Sequence, residues 1–131
     1  MIDRLRLAIV SLLALASACS GAAGTPAVSG EDLAQRIAAG DAPLLLDVRT
    51  PEEFAEGHIP QAINIPYDTL AGRTGELGVE DLDREIVVYC RSGRRAAQAE
   101  ATLREAGFRG VRHLEGDMIG WREAGRPCEG C

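Results

Sequence analysis

The fold of this chain is decided by the stretch Ile86-Val87-Val88-Tyr89-Cys90-Arg91-Ser92-Gly93-Arg94-Arg95 and by the alanine-rich segment that follows it. The apolar, β-branched start of the stretch predicts a strand that is buried on both faces. Gly93 predicts a tight loop, and residues 96–106 predict a helix that stops at Gly107. A strand that passes through a short loop into a helix is the repeating unit of a parallel sheet covered by helices.

The same alternation of strand and helix signals extends in both directions from this stretch. Further helices are expected over 29–40, from Thr50-Pro51 to near Gly57, and over 118–124. Further strands are expected over 44–48, 62–65 and 111–114, and residues 68–83 are expected to form a loop with a helical turn or two. We therefore predict an α/β domain over 28–127 with a parallel sheet and helices on both faces.

Cys90 has the setting of a reactive thiol. It follows the buried strand and precedes a helix, whose N-terminus offers unpaired amides and positive potential. Gly93 allows successive N–H groups to converge on one point, and Arg91, Arg94 and Arg95 add positive charge. These features favour a thiolate nucleophile and an anionic substrate held by Arg91, Ser92, Gly93, Arg94 and Arg95. The alternative is an inert, buried cysteine at the end of a strand, and the glycine and arginines favour the reactive thiol.

This loop resembles the active-site loop of the rhodanese-like sulfurtransferases. Residues 45–54 and 57–66 resemble the N-terminal signature of that family, and residues 116–127, with Trp121, resemble its C-terminal signature. The resemblance implies a rhodanese-like fold with a five-stranded parallel sheet. Two departures, Asp117 in place of the second of two glycines and Gly120 in place of an alanine, are expected to alter the pocket rim.

The resemblance also implies a chemistry. A sulfane donor such as thiosulfate would give its sulfur to Cys90, and a thiophilic acceptor, cyanide or a thiol, would remove it from the persulfide. Arg91, Arg94 and Arg95 would hold the anionic donor, and the loop amides would surround the persulfide. Asp47 and Arg49, at the C-terminal end of the 44–48 strand signal, would fix the loop through a salt bridge. The alternative is that they are ordinary charged residues of a surface or turn.

Two other functions are alternatives to sulfur transfer. Cysteine-dependent phosphatases and arsenate reductases need a C-x5-R loop, and Arg95 closes a shorter C-x4-R loop that suits a sulfane sulfur. A non-catalytic rhodanese-like module is the second possibility. It would bind persulfidated or anionic partners, or sense redox state through Cys90 and the pair Cys128 and Cys131.

The first 27 residues are expected to be an export signal and a tether. Arg4 and Arg6 precede a short apolar run, and small residues precede Cys19, which predicts a signal peptide over 1–18. Ala16-Ser17-Ala18-Cys19 resembles a bacterial lipobox, which implies a lipid on Cys19. Residues 19–27 would then be a flexible tether. The interpretation is an exported, periplasmic or membrane-anchored lipoprotein, with ordinary cleavage after Ala18 as the alternative.

A CxxC motif, Cys128-Glu129-Gly130-Cys131, follows the predicted domain. An oxidising compartment favours a disulfide between its two cysteines. A dithiol that resolves the Cys90 persulfide is the second interpretation. Metal binding is disfavoured, because two thiols make half a zinc site and only His58 and His113 remain to complete it. We predict no metal and no cofactor.

Composition excludes several functions. The chain has 131 residues, is 46% hydrophobic and carries a net charge of −6. All 14 basic residues are arginine, which excludes Schiff-base chemistry and a P-loop lysine. The acidic balance and the 4% aromatic content argue against nucleic-acid binding. The expected partners are a small sulfur-containing anion and an acceptor, with membrane contact only through the lipid on Cys19.

Overall fold

The computed structural model describes residues 25–131. The predicted signal peptide, Cys19 and most of the tether lie outside these residues. No helix in the described range is long and apolar enough to cross a membrane.

The centre of the domain is a parallel sheet of four strands. They are β1 (Leu44–Asp47), β2 (Ile63–Asn64), β3 (Glu85–Tyr89) and β4 (Gly110–His113), in the order β2-β1-β3-β4. In register, Asp47 is opposite both Asn64 and Tyr89. This arrangement brings the end of β1 beside the start of the Cys90 loop.

The sheet has one strand fewer, within residues 25–131, than the five predicted. Where the fifth strand was expected, a single parallel bridge joins Val28 to Leu114. The Val28 N–H donates to the His113 carbonyl at 2.8 Å, and the Val28 carbonyl accepts from Glu115 N–H at 2.8 Å. The reason is local, because Ser29 already caps a helix that begins at Gly30, so that Val28 alone is left to pair.

Four α-helices surround the sheet, close to the predicted positions. They are α1 (Gly30–Ala38), α2 (Pro51–Ala55), α3 (Arg94–Glu105) and α4 (Asp117–Glu123). Ser29 and Thr50 cap α1 and α2 with their hydroxyls, as their sequence context predicted. Helix α3 begins two residues earlier than predicted. The 68–83 segment contains two short 3₁₀ helices, Leu70–Gly72 and Thr74–Leu77.

The two faces of the sheet bury separate apolar cores, as the alternation of side chains along a strand requires. On one face the strand residues Leu46 and Val88, with Cys90 just after β3, pack with α3 and the two 3₁₀ helices. On the other face Leu45, Val87 and Tyr89 pack with α1 and α4. Helices therefore cover both faces of a buried parallel sheet, which confirms the predicted fold class.

Candidate active site

Cys90 is the first residue after β3, and the loop that follows curls back over its sulfur. The backbone N–H of Gly93 donates to Cys90 Sγ at 3.0 Å. Gly93 has a φ of 115°, which side-chain-bearing residues rarely adopt, and it caps α3. The thiol group is only 1% exposed and lies at the N-terminus of a twelve-residue helix. An amide that points at the sulfur stabilises negative charge on it.

The start of α4 holds the Cys90 loop from the other side. Met118 N–H donates to the Cys90 carbonyl at 2.9 Å, and Ile119 N–H donates to the Arg91 carbonyl at 3.1 Å. Asp117 Oδ1 accepts the backbone N–H of Cys90 at 3.0 Å. Asp117 has a φ of 52°, so a residue with a side chain occupies a left-handed position that glycine usually fills.

Asp117 belongs to a buried chain of charged groups. Its carboxylate contacts His113 Nε2 at 2.9 Å, and His113 Nδ1 contacts Glu100 Oε2 at 2.8 Å. The hydrogen bond to Asp117, and secondarily that to Glu100, raise the pKa of His113 to about 9 despite its partial burial. His113 is therefore an imidazolium at neutral pH, and its positive charge bridges the two carboxylates that flank it. Both of its nitrogens are satisfied, as a structural histidine requires.

Asp47 and Arg49 form a buried bidentate ion pair. Arg49 Nη2 contacts Asp47 Oδ2 at 2.6 Å, and Arg49 Nε contacts Asp47 Oδ1 at 3.0 Å. Arg49 Nη2 also donates to the Gly57 carbonyl at 2.7 Å. The pair thus ties the end of β1 to the turn after α2. Its direct hydrogen bonds go to that turn and not to the Cys90 loop.

A pocket of about 490 Å³ opens beside the Cys90 loop. It is lined by three arginines (Arg49, Arg91, Arg122), three glutamates (Glu53, Glu56, Glu123), Met118 and Ile119. The three arginines and three glutamates balance in formal charge, so an anion in the pocket would be held locally by the arginines and not by a net positive charge.

The five predicted loop residues are distributed unevenly around this pocket. Arg91 lines it, whereas the exposed Arg94 does not. Arg95 forms a bidentate ion pair with Glu53, with both N–O distances at 2.9 Å. The hydrogen bonds from Arg95 hold the pKa of the Glu53 carboxyl below its usual value. Ser92 is exposed at the loop surface.

Four residues around the site are not among the site residues predicted from the sequence: Glu53, Glu100, Asp117 and Arg122. His113 ends β4 and Asp117 begins α4, so the four-residue spacing of a helix face does not apply to them, and no local signal joins the two side chains. Arg122 lies one helical turn after Met118 on α4, and that spacing could have indicated a shared face. The Glu53–Arg95 pair joins residues 42 positions apart and carries no local signal.

Known proteins that resemble this chain in sequence show its family. Residues 29–124 match the model of the rhodanese-like domain. The chain belongs to the rhodanese-like family. A protein of Allochromatium vinosum named sulfurtransferase is 41% identical over 100 residues, which is 76% of this chain and 91% of the relative. Thiosulfate sulfurtransferase 16 of Arabidopsis thaliana, a chloroplastic protein, is 39% identical over 63% of this chain and 76% of its own length.

Solved structures agree with this assignment. The crystal structure of a rhodanese-related protein from Thermoplasma volcanium superposes with a TM-score of 0.69 at 31% identity, over 82% of this chain and 100% of the other. Two further relatives are longer, and the matched region spans half of each. The fold, the family match and the sulfurtransferase relatives together show a rhodanese-like sulfurtransferase at the level of the family.

The CxxC tail of this rhodanese-like chain lies outside the matched region. Cys128 and Cys131 form a disulfide, with Cα atoms 5.8 Å apart, and Cys90 is the free cysteine of the described residues. His58 and Glu129 pair in an antiparallel bridge. No cluster of three or more His, Cys, Asp or Glu side chains within residues 25–131 is arranged to hold a metal ion.

Proposed function

We propose that this protein moves a sulfane sulfur from an anionic donor such as thiosulfate to a thiophilic acceptor, through a persulfide on Cys90. The observation that carries the proposal is the Gly93 N–H that points at Cys90 Sγ from the N-terminus of α3. An amide that points at the sulfur stabilises the thiolate that would attack the donor. The sulfurtransferase relatives support the same chemistry at the level of the family.

The reaction would run in two displacements. The Cys90 thiolate attacks the outer sulfur of thiosulfate, the S–S bond of the donor breaks, and sulfite leaves with the electron pair. The acceptor then attacks the outer sulfur of the Cys90 persulfide, and the Cys90 thiolate leaves. With cyanide as acceptor the product is thiocyanate, and with a thiolate it is a new persulfide.

Because the proposed donor is an anion, each arginine near the pocket has an expected role. Arg91 lines the pocket, so we expect it to contact the sulfonate oxygens of thiosulfate. Arg122 lines the same pocket from α4 and can contribute a second cation. Arg95 is held by Glu53, which suits a residue that orients the loop. Arg94 is exposed and does not line the pocket, so we expect it to contribute only long-range positive potential.

We further propose that the protein is exported and held at a membrane by a lipid on Cys19. The support is the sequence of residues 1–19 alone, and the acceptor would then be an extracytoplasmic thiol. The disulfide of the tail is compatible with an oxidising compartment.

A redox-sensing module is the second candidate, and the disulfide near the pocket beside the Cys90 loop is the observation that favours it. Turnover separates the two functions, because a sensor does not release product repeatedly. The experiment is thiocyanate formation from thiosulfate and cyanide by the full chain. Cys90→Ser should abolish it, and Arg91→Ala should lower kcat/KM about tenfold, mainly through KM, as expected for one lost charged contact.

The matched control is Arg73→Ala, which removes an arginine from an exposed pair with Glu76. It should leave both kinetic constants unchanged. Turnover by Cys90→Ser, or no turnover by the unmodified chain with reduced Cys90, would contradict sulfur transfer through Cys90.

A further inference from the structure

The disulfide of the tail lines a second depression, which adjoins the pocket beside the Cys90 loop. This depression has a volume of about 430 Å³, and Cys128 and Cys131 lie in its wall. Glu56 and Arg122 line both this depression and the pocket beside the Cys90 loop. The two sites therefore share a rim, and a group that moves across Arg122 passes from one to the other.

The tail contacts the turn after α2, whose Gly57 carbonyl accepts a hydrogen bond from Arg49. His58 and Glu129 exchange two backbone hydrogen bonds of 2.9 Å, and His58 Nε2 contacts the Glu129 carboxylate at 3.1 Å. Gly57 provides the space for the disulfide, because a Cβ on Gly57 would overlap the Cys131 sulfur. The disulfide thus lies directly on backbone whose carbonyl binds Arg49, at the edge of the pocket.

The two sulfurs of the tail have different surroundings. Cys128 is half-buried and packs against the apolar core that includes Trp121. Cys131 is exposed, and Arg122 Nη2 lies 4.0 Å from its Sγ. A nearby guanidinium favours the thiolate form of a cysteine, and exposure allows it to attack. After reduction, Cys131 is therefore the better nucleophile and Cys128 the better resolving thiol.

We propose that the reduced pair Cys128 and Cys131 is an internal acceptor for the sulfur on Cys90 and releases it as sulfide. The proposal rests on the persulfide chemistry proposed above and names its acceptor. Opening the disulfide removes the covalent restraint on Cys131. Cys131 lines the same depression as Arg122, and Arg122 also lines the neighbouring pocket, so a Cys131 thiol freed from the disulfide lies beside the shared rim.

The transfer balances as two exchange steps. The Cys131 thiolate attacks the outer sulfur of the Cys90 persulfide, and the Cys90 thiolate leaves. The Cys128 thiolate then attacks Cys131 Sγ, the disulfide forms, and hydrosulfide leaves with the electron pair. The dithiol is oxidised by two electrons and the sulfane sulfur is reduced to sulfide. An external dithiol reductant returns the pair to its reduced form for the next cycle.

The test is a single turnover of the full chain with Cys19→Ser, so that Cys90 is the only thiol outside the tail. The protein is reduced, freed of reductant, and mixed with one equivalent of thiosulfate, without cyanide or added thiol. The expected result is one equivalent of sulfide and a chain lighter by about 2 Da, the mass of a new disulfide. In a separate run with thiosulfate in fixed, saturating excess, the first-order rate constant of sulfide release should not depend on protein concentration, because the transfer is within one chain.

Two variants locate the sulfur. Cys128→Ser should stop at a persulfide on Cys131, about 32 Da heavier and mapped by peptide mass, with little sulfide. Cys131→Ser should keep the sulfur on Cys90. The same chain with an oxidised tail serves as a control without substitution, and it should also keep the sulfur on Cys90.

The outcomes separate this proposal from the one it rests on. Failure of Cys90 to gain sulfur in the oxidised chain overturns the proposed function. If Cys90 gains sulfur but the reduced tail releases no sulfide, the internal acceptor is overturned and the proposed function stands. A rate constant that rises with protein concentration means transfer between molecules, and it overturns the internal step.

Discussion

The Asp117 carboxylate accepts the backbone N–H of Cys90 at 3.0 Å. A charged side chain thus holds the backbone of the nucleophile itself. His113 and Glu100 extend this contact into a buried network on the α3 side of the loop. Asp117 replaces a glycine that the family resemblance leads one to expect. In this chain the position is a support for the loop and a source of charge, and its backbone keeps the left-handed conformation that glycine would adopt.

Replacing Asp117 tests this support. Asp117→Ala leaves the buried Cys90 N–H without its acceptor, so the free energy of unfolding should fall by about 1–3 kcal/mol. We expect kcat for thiocyanate formation to fall about tenfold, because the loop loses its fixed position. Asp117→Asn keeps an acceptor oxygen and tolerates a positive φ, so it should retain most of the activity. Equal losses in the two variants would show that the charge, and not the hydrogen bond, is what matters.

The His113 network makes stability depend on pH. The pKa of His113 is raised to about 9 in the folded protein, chiefly by Asp117, from an unfolded value near 6.5. The stabilisation from the imidazolium is complete below about pH 6.5 and is lost as the pH rises through about 9. Urea unfolding at pH 6 and pH 9.5 should therefore show a loss in the unmodified chain that is smaller in His113→Gln. Parallel losses in both proteins would assign the pH dependence to other groups.

The buried Asp47–Arg49 pair should matter more than any exposed ion pair. Arg49→Met leaves the Asp47 carboxylate buried and unpaired and removes the donor to the Gly57 carbonyl. The free energy of unfolding should fall by about 3–5 kcal/mol, measured by urea titration. Arg109→Met is the matched control, because it breaks an exposed pair with Asp83 and should leave the urea midpoint nearly unchanged. A small effect of Arg49→Met would mean that water replaces the lost contacts.

Local patterns were sufficient for the four strands β1 to β4 and for the caps of α1 and α2. The run from Ile86 to Tyr89 is apolar because both of its faces are covered, and this can be read from the sequence. Ser29 and Thr50 each satisfy amides three residues away, within the range of sequence signals.

Contacts between distant segments could not be predicted in this way. Glu53 meets Arg95 because α2 and α3 converge at the same edge of the sheet. The prediction of a fifth strand was wrong, because Ser29 caps α1 and leaves only Val28 to pair with the sheet. The tail returns to His58 from 71 positions away, and no spacing rule connects them.

The proposed lipid anchor on Cys19 is tested by cell fractionation and by the mass of the recovered protein. In a bacterial host with a lipoprotein pathway, the unmodified chain should be recovered in the membrane fraction with a mass increased by the acyl groups. Cys19→Ser should be recovered in the soluble fraction, because a lipid on Cys19 is the proposed attachment. Membrane recovery of both proteins to the same extent would contradict an anchor on Cys19.

The most direct test of the central claim is the intact mass of the chain after exposure to thiosulfate. The protein carries Cys19→Ser and an oxidised tail, so that Cys90 is the free thiol. The account predicts a gain of one sulfur, about 32 Da, that is absent in Cys90→Ser and is removed by cyanide. No gain in the protein with reduced Cys90, or an equal gain in Cys90→Ser, would contradict it.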